Sequence, residues 1–235
     1  MADRDFGSRV ASIAALGEPV RRDLYRYVIA QPEPVSREQA AAALGVARHV
    51  AKFNLDKLEE EGLLEVEYAR PSGRRGPGAG RPAKLYRRSR QEVEVSLPER
   101  CYDLVARVMA EAITIAEQKS VPIGAALREA ASEAGRELGA EARRMSGEQP
   151  EPGGAAALAA VEEVLAGTGY EPRQAGGGLE LANCPFHSLA RRYTSLVCGI
   201  NVHLIDSLLN AAGAADVRAR LEPSAGRCCV TITGA

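Results

Sequence analysis

Tryptophan is absent from these 235 residues, and tyrosine and phenylalanine together supply only 4%. Hydrophobic cores must therefore be built mainly from alanine, leucine and valine, for which a 46% hydrophobic content is sufficient. Histidine occurs three times and cysteine five. No apolar run approaches the roughly 18 residues that a membrane span needs. The opening "MADRDFGSRVASIAALG" carries charges where a secretory signal would have an uninterrupted apolar stretch. Both features point to a cytoplasmic chain with no membrane partner. There disulfides seldom persist, and grouped cysteines more often bind metal or do redox chemistry. A Gly-rich phosphate loop, a nucleophile elbow and an HExxH stretch are all missing, so the chain does not read as an enzyme.

Net charge is only −1, but it is unevenly distributed. Arg70, Arg74, Arg75, Arg81, Lys84, Arg87, Arg88 and Arg90 fall in one stretch without an acidic residue. Upstream of it, Pro19 suits the first turn of a helix carrying Val20, Leu24, Tyr27 and Val28 at helical spacing. Ser36 and Gln39 form a capping-box pattern that predicts a short helix from 37 to Gly45. "ARHVAKFNLDKLEEEG" predicts a second, with Ala51, Leu55 and Leu58 on one face and Gly62 as its stop. The period then switches. "LLEVEYA" and "AKLYRRS" read as strands joined by the Gly/Pro/Arg loop "RPSGRRGPGAGRP".

Two short helices and then a hairpin with a basic tip make a winged helix-turn-helix, whose partner is a double-stranded DNA operator. The groove-facing positions are expected at Arg48, His49, Lys52, Phe53 and Asn54, beside Ala47. Arg48 and Asn54 have donors suited to base edges, while Lys52 and the wing residues Arg74, Arg75 and Arg81 suit phosphates. "LGEPVRRDLYRYV", "ALGVARHVAKFNLDKLEEEGLLE" and "GRPAKLYR" resemble the ArsR-type winged-helix transcriptional regulators, and most closely the SufR-like branch. Asn54 departs from that pattern, since many relatives carry histidine before the leucine.

Further on, Cys101, Val105, Val108, Ala112 and Ile115 follow a 4-3-4-3 spacing, a heptad-like seam. A second, Ala-rich helix is expected after Pro122. The pair reads as a connector and homodimer interface, although an intramolecular helical hairpin satisfies the same pattern. Cys101 reads as a small buried hydrophobe.

The remaining cysteines lie in the C-terminal third. "YEPRQAGGGLELANCPF" reads as a hairpin with Cys184 just beyond it, and His187 follows three residues later. Helical periodicity is expected from about Cys198, where helix dipoles would stabilise a thiolate. "VRARLEPSAGRCCVTIT" reads as a last hairpin with Cys228 on the inward face and Cys229 on the other. Thiols from three separate pieces suit zinc or an iron-sulfur cluster, while buried structural cysteines would show the same spacing. Cys-Pro-Phe-His, Val-Cys and Gly-Arg-Cys-Cys-Val are similar to the C-terminal half of the SufR-like regulators. That resemblance implies a repressor with a 4Fe-4S or 2Fe-2S cluster on Cys184, Cys198 and Cys228. Its fourth ligand would come from His187, Cys229 or an exogenous thiol, with His187 favoured because Cys229 faces away. A structural zinc with an organic effector is the alternative.

The expected fold class is α+β, in three parts. These are a winged helix-turn-helix domain at 1–95, a helical dimerisation linker at 96–148 and a small α/β metal-binding domain at 149–235.

Overall fold

The structure, a computed structural model, describes residues 2–69, 82–147, 155–224 and 226–234. It divides into two compact units, Met1–Val95 and Ser96–Ala235.

In the first unit, helices α1 (Ala2–Ala15), α2 (Pro19–Ile29), α3 (Arg37–Leu44) and α4 (Arg48–Glu60) accompany strands β1 (Val35–Ser36), β2 (Leu64–Ala69) and β3 (Ala83–Arg88). Local chemistry sets most of the boundaries. The Glu18 carboxylate accepts the Val20 and Arg21 amides ahead of α2, with Pro19 in its first turn. The capping box of α3 is complete: Gln39 N–H donates to Ser36 Oγ (3.2 Å) and Ser36 N–H donates to Gln39 Oε1 (2.9 Å). Gly45 closes that helix at φ 65°, a left-handed conformation that glycine adopts without steric penalty.

The hairpin β2–β3 runs in antiparallel register from Leu64 opposite Arg88 to Ala69 opposite Ala83. Residues 70–81 between them, which include Arg74, Arg75 and Arg81, lie outside the described residues. Strand β1 adds to the other edge of β3, giving the order β1-β3-β2. Leu24, Val28, Leu55, Leu58, Leu64 and Tyr86 form the core beneath this sheet. The sequence had not suggested α1 or β1. Ser12 ties α1 to the end of α4, its hydroxyl donating to the Glu61 carbonyl at 2.7 Å.

The second unit contains α5 (Tyr102–Lys119), α6 (Ile123–Met145), α7 (Ala155–Gly167), α8 (His187–Arg192) and α9 (Thr194–Ala212). Its antiparallel sheet has the order β4-β5-β7-β6, from β4 (Pro172–Ala175), β5 (Gly178–Leu181), β6 (Val217–Leu221) and β7 (Val230–Gly234). The turn between β4 and β5 uses Gly176 and Gly177 at φ 57° and 83°, as a two-residue hairpin loop requires.

Helix α9 is the centre of this unit. By length and composition alone it could cross a membrane, with mean hydropathy 1.3, although Asn201, His203 and Asp206 interrupt its apolar run. Most of its apolar residues, among them Val197, Leu204, Ile205 and Leu208, are buried in the unit's own core, while Leu196 is exposed. Helix α6 packs along it at close range, because Gly135 and Gly139 present bare backbone to the carbonyls of Leu204 and Leu208.

This packing favours the intramolecular hairpin of the two readings of α5 and α6. Val105, Val108, Ala112 and Ile115 are buried in one core with α6, α7, α9 and the sheet. The seam is consumed inside the unit, and α5 and α6 belong to the same compact body as the C-terminal sheet. What resembled a dimer face is the inner face of an intramolecular helical hairpin.

Candidate DNA interface and thiol site

The start of α4 exposes Arg48, His49, Lys52 and Phe53. Phe53 is 66% exposed, unusual for a phenylalanine in a monomeric domain but suited to contact with a thymine methyl group. Each described cation around it already has an acidic partner. Arg48 binds Glu38 on α3, Lys52 lies 3.1 Å from Asp56, and Lys84 on the wing reaches Asp56 (2.7 Å) and Glu59 (2.5 Å). Burial alone would raise the Asp56 carboxyl, but hydrogen bonds from Lys84, Tyr86 and Lys52 outweigh it and hold the group at about 2. These ties anchor the wing to the recognition helix.

Asn54 does not face the groove. It is buried: Nδ2 donates to the Val50 carbonyl (3.0 Å) and Oδ1 accepts from Arg21 Nε (3.1 Å). The reason is its place on the apolar stripe, three residues after Ala51 and four before Leu58. Asn54 therefore locks α4 to α2 and reads no base. Asn54→Ala is expected to cost about 1–2 kcal/mol by stranding the Arg21 donor, with the sequence selected from a random DNA library unchanged. A thermal melt and a binding-site selection check the two halves of that statement.

In the second unit the thiols come together differently from the pattern in the sequence. Cys184 lies close enough to Cys228 for the two thiols to perturb each other, and the same holds for Cys198 and Cys229. The neighbouring Cys228 thiol, the Phe186 amide and the Arg100 guanidinium all favour the ionised form of Cys184. Together these outweigh desolvation and bring its thiol down to about 7. The Cys228 thiol is driven upward, first by the neighbouring Cys184 and then by burial.

Cys198 corrects a second expectation. Helix α9 begins at Thr194, so Cys198 is already past the first turn and buried. Desolvation and the neighbouring Cys229 push its thiol up to about 12. The helix terminus does not make it a thiolate.

His187 is also misplaced by the sequence pattern. It opens α8 with an exposed side chain, while Phe186 beside it takes the buried position. Its link to the cysteines is through the backbone, where its N–H donates to the Cys184 carbonyl at 3.1 Å. Cys229, expected to face away, is instead the partner of Cys198. Cys101 is at the N-terminus of α5, and its N–H donates to the Pro185 carbonyl at 3.2 Å. Together with Cys184 and Cys228, its sulfur is close enough to act electrostatically on the buried Tyr170 phenol.

Polar residues hold this arrangement. The Tyr170 hydroxyl donates to Asn201 Oδ1, and Asn201 Nδ2 donates to Cys228 Sγ at 3.3 Å. Arg100 Nη1 donates to Asn183 Oδ1 and to the Cys184 carbonyl (3.0 Å). Asn183 Nδ2 donates to the carbonyls of Glu99 (2.8 Å) and Gly169 (2.6 Å). Asn201 had a sequence signal, an amide in the middle of an apolar helical face. Arg100 and Asn183 had none.

The donors gathered here are soft sulfur atoms. Five cysteines serve one region, and one of them titrates near neutrality. Among the described residues, no three His, Cys, Asp or Glu side chains converge in a geometry that could hold a single metal ion.

A family model described as a helix-turn-helix domain matches residues 16–67, which span α2 to the start of β2. No curated protein and no solved structure matches the chain. The first unit is thus a helix-turn-helix domain of the kind that binds DNA in transcriptional regulators.

Proposed function

We propose that the chain is a cytoplasmic, homodimeric winged-helix repressor of the SufR-like type, whose thiols bind an iron-sulfur cluster that changes operator affinity. The gathering of the cysteines beside Arg100, on a chain that also carries a DNA-binding head, is the observation behind this reading. Cys184, Cys198 and Cys228 are the proposed ligands, with Cys229 as the fourth in place of His187. The Arg100 guanidinium would offset part of the negative charge that several thiolates bring together. Such a cluster would act as an effector only by binding two arrangements of the protein unequally. Homodimerisation would match a two-fold operator.

The test is an ultraviolet-visible spectrum of anaerobically purified protein, with iron, sulfide and zinc determined on the same sample. A brown protein absorbing near roughly 400 nm, containing iron and sulfide and bleached by Cys184→Ser, is expected. Operator affinity should then differ between the cluster-loaded and cluster-free forms in an anisotropy titration. A colourless protein with stoichiometric zinc would replace the cluster with a structural clamp, and equal affinities would remove the sensing role.

A further inference from the structure

We propose that Glu38 is a specificity-determining positioning residue, which holds the Arg48 guanidinium ready for a guanine edge and turns it away from the phosphate backbone. The proposal rests on the helix-turn-helix reading of the first unit. It concerns DNA recognition only and is independent of the thiol site.

Arg48 is the first residue of α4, at the end of the recognition helix from which base contacts are made. Its side chain is 65% exposed, and a free arginine there would give up considerable rotamer entropy on docking. Glu38 removes much of that freedom in advance. Arg48 Nε donates to Glu38 Oε1 at 2.8 Å, and Nη2 donates to the same oxygen. That oxygen also accepts Arg37 Nε at 3.0 Å. Glu38 is itself held firmly, because it lies inside the first turn of α3 between the two members of the capping box.

The side edge of the guanidinium is occupied, and among the described residues no partner engages Nη1. The outer edge, Nη1 with the second Nη2 proton, is the pair of donors that matches guanine O6 and N7. Arg37 and Arg48 share the single Glu38 carboxylate, so the cluster carries one net positive charge instead of two. Glu38 thereby trims the sequence-independent attraction for phosphates, which grows with uncompensated lysine and arginine. Desolvation opposes ionisation of Glu38, but its bonds to the two arginines prevail and keep its carboxyl at about 2. Glu38 therefore remains ionised at every physiological pH. A carboxylate at this position gives up non-specific affinity and sharpens the base preference.

Binding-site selection from a random-sequence duplex library tests this, alongside anisotropy titrations of one fixed mixed-sequence duplex at several salt concentrations. The wild type is expected to enrich guanine at one position of each half-site. Arg48→Ala should flatten that position alone. Glu38→Gln should reduce the guanine preference there roughly tenfold. It should also tighten binding to the fixed duplex and steepen its salt dependence by about one counterion. Arg48→Lys is the second variant. It leaves α3 untouched and keeps the charge, but its flexible ammonium lacks the planar fork that Glu38 orients, so it should weaken the guanine preference while still binding the fixed duplex. A guanine preference undiminished by Glu38→Gln in a normally folded protein, or undiminished by Arg48→Lys, overturns the proposal and leaves DNA binding intact. A wild type that enriches no sequence overturns the DNA-binding reading, and this proposal falls with it.

Discussion

Gly135→Ala and Gly139→Ala are each expected to destabilise the second unit by about 2 kcal/mol or more, despite adding only one methyl group. Helix propensity alone predicts the opposite sign, since alanine is favoured over glycine within a helix by about 1 kcal/mol. Packing decides between them. A Cβ on Gly135 would lie 2.2 Å from the Leu204 carbonyl oxygen and 2.9 Å from Ser207 Cβ. On Gly139 it would lie 2.5 Å from the Leu208 oxygen and 2.6 Å from Ala211 Cβ. Those oxygens belong to the backbone of α9 and cannot rotate away, so the two helices must separate and loosen the core between them. A fall in melting temperature of roughly 5–10 °C, followed by circular dichroism, is the expected reading. Gly124→Ala is the control. The nearest atom its Cβ would meet is Arg128 Nη1 at 3.9 Å, so propensity should win there and stability should hold or rise. Equal stability of the Gly135 variant and the parent would mean that α6 and α9 are not in contact at this position. Because Cys198 and Asn201 are on α9, the same substitutions should also disturb the thiol site.

Cys228→Ala should slow alkylation of Cys184 by iodoacetamide at pH 7 by about tenfold. The Cys228 thiol is the largest influence holding Cys184 at about 7, so about half of it is thiolate at neutral pH. Without that neighbour it should rise toward the ordinary value of about 8.5, where only a few per cent is ionised at pH 7. Because the folded form holds the Cys184 thiol below its unfolded value, it favours the native state above the unfolded value, and the advantage fades as pH falls through about 7. Peptide mass spectrometry after timed labelling separates Cys184 from the other thiols. An unchanged rate would assign the activation to the Phe186 amide and Arg100 instead. The experiment needs no bound metal, so it tests the thiol geometry independently of the cluster proposal.

The sequence was informative where structure is made by near neighbours. Capping by Ser36 and Gln39, the left-handed stop at Gly45, the turn at Gly176 and Gly177, and the Pro19 start all involve groups a few residues apart. Their chemistry is complete within the local chain, and with the switch from helical to strand period they were enough for a winged helix. Asn54 shows a local signal that was overridden: its spacing from Ala51 and Leu58 put it inward, while its amide suggested a base. Strand β1 is two residues long and exists only by pairing with β3, some fifty residues away, so no local pattern could reveal it.

By itself, then, the sequence determined a DNA-binding head and a cysteine-bearing C-terminal region, because residue type and short spacing carry both. Only the tertiary structure decided which sulfurs meet. The Asn201–Cys228 contact spans 27 residues and the Arg100–Cys184 contact spans 84. Side-chain alternation on a strand says which face a residue takes, but not what the fold places against that face. Cys229 therefore meets Cys198, His187 turns to solvent, and the seam of α5 is used up in the core of its own unit.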